Sequence, residues 1–81
     1  MFDSNKETMT EDKVEAIIPR NSWWTDIRGR VWLILKYSYE TQTFLPTGVE
    51  MLELYKTIPT YQPLDVILKS IDKGQMKRVI I

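Results

Sequence analysis

Cysteine and histidine are both absent from the 81 residues. Without thiols the chain can close neither a disulfide nor a thiolate metal site. Without imidazole it loses the commonest general base and the commonest transition-metal ligand together. Catalysis would have to rest on 11 Asp and Glu carboxylates and on hydroxyls. No P-loop, GxGxxG, metal-ligand spacing or nucleophile motif is present. Asp65 and Asp72 would stand about 10 Å apart on one helix, with no cleft partner that would make them an acid/base pair. The expectation is a non-enzymatic protein without cofactor or metal. Long apolar runs are lacking too: the longest, VWLIL at 31 to 35, is far too short to cross a bilayer. The opening MFDSNKETMTEDK has no apolar stretch of the kind a signal or transit peptide needs. A soluble, cytoplasmic chain is expected, with neither a membrane nor a small-molecule substrate among its partners.

An excess of one charge is also missing, since 11 basic residues balance 11 acidic ones. The charges are nevertheless blocked: residues 1 to 19 sum to −3, 20 to 36 to +3, 37 to 72 to −3 and 73 to 81 to +3. Two basic patches are therefore the electrostatic handles. A chain of this length is one domain with one small core. Residues 1 to 12 are too polar to repay the entropy of ordering and read as a flexible arm, which leaves 13 to 81 as the domain. KVEAII, at 13 to 18, fits either one helical turn or a short strand, and Pro19 ends it.

Helical spacing of Trp24, Ile27, Val31, Ile34 and Leu35, with Ser22 as N-cap and an Asp26–Arg30 pair, predicts a first helix over 23 to 37. Gly29 and the strand-like alternation of YSYETQTF oppose it, so an extended segment follows. Thr47 and Glu50 match the T-x-x-E capping box and predict a second helix over 48 to 57, closed by Pro59. Pro63 and Asp65 open a third over 63 to 73, with Leu64, Ile67, Leu68 and Ile71 as its apolar stripe and Gly74 as its stop. MKRVI, at 76 to 80, reads as a strand.

This order, carried by LPTGVEMLELY, QPLDVILKSIDKG and MKRVII, resembles the winged helix-turn-helix superfamily over residues 23 to 81. The resemblance implies a mainly α fold of three helices with a small β element and a truncated or absent wing. It also implies DNA as partner, in transcriptional or replication control, with a dimer expected; some members of the superfamily bind proteins instead. The residues placed to meet DNA are Thr57, Thr60 and Tyr61 in the turn, Gln62 and Lys69 on the reading helix, and the basic Lys73, Lys77 and Arg78. Each also has a plainer reading, as turn residue, solvated helix face or charged guard on an edge strand. The alternative is a protein-interaction module, an adaptor or an inhibitor, that uses the 62 to 73 helix and a surface of Trp23, Trp24, Arg28, Arg30 and Trp32. Trp and Arg are favoured anchors at interfaces, although three tryptophans also suit a small core.

Overall fold

The computed structural model describes residues 9–80. It is an antiparallel sheet with two helices, in the order α1 (Glu11–Ile17), β1 (Trp23–Asp26), β2 (Val31–Tyr39), β3 (Pro46–Glu53), β4 (Thr60–Pro63), α2 (Leu64–Asp72) and β5 (Met76–Val79). The strands lie in the order β4-β3-β2-β1-β5. The mainly α, three-helix winged-helix expectation is thereby overturned. A nine-residue strand, β2, occupies the place of the first helix, and β3 that of the second. The T-x-x-E match is not a cap: Thr47 donates its hydroxyl to the Ser38 carbonyl and Glu50 pairs with Lys36, both across the β2–β3 ladder. The third helix and the final strand form where expected, as α2 and β5. Pro63 leads into α2, and Gly74 follows its end with a φ of +75°, which glycine adopts without the Cβ clash.

Ten apolar side chains make the core: Val14 and Ile18 from α1 and the residue that follows it, Leu64 and Ile67 from α2, and Trp24, Ile34, Tyr37, Val49, Met51 and Met76 from the sheet. The six sheet residues share one face, because Ile34 pairs with Met51 and Tyr37 with Val49 while a bulge between Ile34 and Lys36 resets the alternation. Both helices therefore pack on that face. The link β4-α2-β5 joins the two outermost strands, so α2 crosses the sheet and meets β3, β4 and β5. Thr10 caps α1, which begins inside the segment read as an arm; residues 1 to 8 of that arm lie outside the described residues. Around α1, Arg20 pairs with Glu11 and Glu15 and lies 5.0 Å from the Tyr37 ring centre, while the Tyr37 hydroxyl donates to the Ile18 carbonyl at 2.7 Å. Burial and then the adjacent Glu15 carboxylate push the Tyr37 hydroxyl up to about 12.

The opposite face carries neither helix. Val79, Trp23, Leu33 and Leu52 stand in one cross-strand row over four strands, joined pair by pair in the register. All four are half-buried by one another and by their neighbours, and none packs on the core. The flanking row holds Lys77, Thr25 and Val31, and the row on the other side holds Lys36, Glu50 and Tyr61. Where one sheet face is left to solvent, polar side chains are the usual occupants; here the centre of that face is apolar.

Candidate functional site

The sequence DIRGR, which supplied the Asp26–Arg30 pair for a helix, builds a tight hairpin between β1 and β2. The Gly29 amide donates to the Asp26 carbonyl, and the Asp26 amide to the Arg30 carbonyl, each at 3.0 Å. Gly29 has a φ of +81°. This is a three-residue loop in which the last position must be left-handed, and glycine fills it without strain. The predicted ion pair exists, but a turn makes it: Arg30 Nε donates to Asp26 Oδ2 at 2.7 Å.

Asp26 is the hub of the loop. Its Oδ1 accepts the backbone amides of Arg28 and Arg30, both at 2.9 Å, and its Oδ2 also accepts the Trp32 indole N–H at 3.1 Å. Burial alone would raise this carboxyl, but the bonds from the Trp32 indole, from Arg30 and from the Arg28 amide outweigh it and hold Asp26 down to about 2. The Arg30 guanidinium lies 5.5 Å from the Trp32 ring centre, a cation–π distance. Arg30 is therefore gripped at Nε and on one flat side, while its two terminal nitrogens have no acceptor among the described residues.

Arg28, Arg30 and Trp32 form one wall of a cleft of about 370 Å³ between this hairpin and α2. Val66, Ile67 and Ser70 of α2 form the facing wall, Met51 and Met76 contribute apolar surface, and Gln62 and Gln75 add polar groups. Two arginines against one carboxylate leave the cleft positive. Asp26 has its oxygens occupied by four donors and stays ionised far below neutral pH, so it is no general base, and the Ser70 hydroxyl is tied to the Val66 carbonyl at 3.1 Å. Among the described residues no group of three potential metal-ligating side chains comes together, and no helix is long and apolar enough to cross a membrane.

The residues assigned to DNA do not form one continuous surface, although Thr57 and Thr60 line the same shallow cleft. Thr57 sits in the β3–β4 loop, Thr60 and Tyr61 on edge strand β4, Lys69 on the exposed side of α2 and Lys73 at its C-cap. Gln62 turns into the cleft. Lys77 and Arg78 alternate to opposite faces of β5. With no turn joining two helices there is no reading helix, so helix-turn-helix DNA binding falls with the fold. The tryptophans divide differently from the expectation of one shared surface: Trp24 is core, bonded through its indole to Ser22 Oγ, Trp23 lies on the uncovered face, and Trp32 walls the cleft. Arg28, Arg30 and Trp32 do come together, and so does Gln62. Sequence reasoning missed Asp26 as their organiser, although an Asp three residues before a Gly is a turn signal. It also missed Ser70, Gln75 and the Leu33–Leu52 pair, for which no local signal exists. No family model, curated protein or solved structure matches the chain, and the geometry of its own residues is what a functional reading has to rest on.

Proposed function

We propose that this protein is a non-catalytic interaction module whose cleft between the β1–β2 hairpin and α2 takes a carboxylate of a partner protein together with an adjoining apolar group. The observation that carries this reading is Arg30. Its Nε is fixed by Asp26 and its plane by Trp32, which leaves the paired terminal N–H groups preset for the two oxygens of a carboxylate. Arg28 adds charge at the same wall, and the exposed Val66 on the facing wall, with what little of Met51, Ile67 and Met76 reaches the cleft, offers apolar contact. Preorganisation of this kind lowers the entropy lost on binding.

N-acetyl-leucine carries one carboxylate and one apolar side chain, and serves as the probe. At about 0.3 kcal/mol per heavy atom its dissociation constant falls on the order of 1 mM. In a nitrogen-15 NMR titration the expected outcome is saturable shifts at Arg28, Arg30, Ser70, Gln75 and the Trp32 indole. Arg30→Gln should weaken binding at least about fivefold, and the uncharged N-acetyl-leucinamide should bind far more weakly. Equal response to acid and amide, or no shift at these residues with 20-fold excess over about 1 mM, refutes the proposal.

A further inference from the structure

We infer that the uncovered face of the sheet pairs with the same face of a second copy of this chain, the two sheets crossing near a right angle. The apolar row of Val79, Trp23, Leu33 and Leu52 has no cover among the described elements. Self-pairing is favoured by where the charges lie around it. Lys77 stands on β5 one row to one side, and Glu50 on β3 one row to the other. Three strand spacings separate them across the sheet, about 14 Å, and about 13 Å separates their rows along it. The midpoint of that diagonal is the Trp23–Leu33 pair. A two-fold axis lying in the interface over this pair, perpendicular to the diagonal, brings Lys77 of each copy onto Glu50 of the other. Because the diagonal runs at about 45° to the strands, the same axis makes the two sets of strands cross at about 90°, one of the two established ways for sheets to pack.

The pairing partners are available. Glu50 meets Lys36 through Oε2 at 3.9 Å, and its Oε1 has no donor among the described residues. Lys77 has no partner among them either. A chain of zero net charge carries no overall repulsion against its copy. Pairing through strand edges is disfavoured, since antiparallel β5 on β5 sets the basic Lys77 of one copy opposite the basic Arg78 of the other, and β4 ends in Pro63. The face covers on the order of 400 Å² per copy, at the low end of specific interfaces, so the dimer is a concentration-dependent one.

Sedimentation velocity of the full chain from about 5 µM to about 1 mM tests this, a range suited to so small an interface. The wild type should pass from monomer to dimer within it, and Leu33→Lys should stay monomeric while its circular dichroism and melting remain those of a folded domain. Lys77→Glu and Glu50→Lys each place like charges together and should weaken the dimer about tenfold, whereas the two combined should return to within about threefold of wild type. Both sites are solvent-accessible, so these variants remain informative if Leu33→Lys fails to fold. A wild type that is monomeric at 1 mM overturns the inference, and so does a double reversal no tighter than the single ones. The cleft titration is read on α2 and the hairpin, and its result is independent of either outcome.

Discussion

Replacing Asp26 by Asn keeps the shape of the side chain and removes its charge. The amide oxygen can still accept from the Arg28 and Arg30 amides, but an NH2 then confronts Arg30 Nε–H and the Trp32 indole N–H, leaving two donors unanswered. The Asp26 side chain is only 13% exposed, so solvent does little to screen the change. The carboxyl is held at about 2 against an ordinary 3.8, and that difference corresponds to a ceiling of about 2 kcal/mol. In a domain of this length a loss of that full size lowers the melting temperature by roughly 8 to 16 °C, which is the upper bound on the effect. The pH dependence supplies a stricter test. A carboxyl whose folded value lies below its unfolded one contributes stability that is complete above about pH 4 and is lost as pH falls through about 2. Urea unfolding of wild type and Asp26→Asn at pH 7, 4, 3 and 2 should therefore show a gap of up to about 2 kcal/mol at pH 7 that narrows toward pH 2, because the wild type becomes protonated there. A gap below about 0.5 kcal/mol at pH 7, or one that stays constant down to pH 2, would refute the account of Asp26 as the hub. The Trp32 indole proton, lying in that hydrogen bond, should shift in step with the loss.

Two further outcomes follow from packing. Ile67, 2% exposed, should cost about 2 to 5 kcal/mol on Ile67→Ala, and half-buried Leu68, which only flanks the core, clearly less on Leu68→Ala; equal urea midpoints would contradict the placement of α2. A Cβ on Gly48 would run into the far end of the exposed Tyr61 ring, which must swing away and give up its hydroxyl's bond to the Thr47 carbonyl, so Gly48→Ala should destabilise by up to about 1 kcal/mol in the wild type and by less in a Tyr61→Ser background, as a double-mutant cycle in urea would register.

The parts of the fold that were legible in the chain are those set by neighbours in sequence. Pro63, the Leu64, Ile67, Leu68, Ile71 stripe and Gly74 specify α2 through local capping and amphipathicity, and the Lys-Arg-Val that follows specifies β5. The error at 31 to 39 has a physical origin. Val31 and Leu33 face the bare side of the sheet while Trp32 and Ile34 face the helices, so both faces of β2 are apolar and the alternation that marks a strand disappears. Positions 31, 34 and 35 then mimic a helical repeat, and the bulge before Lys36 breaks period two again just beyond it. The branched and aromatic content of VWLILKYSY pointed to a strand and should have outweighed the spacing. The cleft was half legible. Arg28, Arg30 and Trp32 belong to one short segment, but Gln62, Ser70 and Gln75 join them only because α2 is carried across the sheet, and nothing local encodes that path.

That path also sets an order on folding. Strands β1 to β4 are sequential neighbours and can zip as successive hairpins, whereas β1 gains its second partner only when residues 76–79 arrive. During synthesis the outer edge of β1, with Trp23 and Trp24 beside it, stays open until residues 76–79 have emerged, and α2 cannot be anchored at both ends before then. Late closure by a short strand makes this edge the place where nascent chains are most open to mispairing. The two adjacent basic residues of β5, Lys77 and Arg78, thus sit on the strand that closes it and leave a charged edge in place of a bare one.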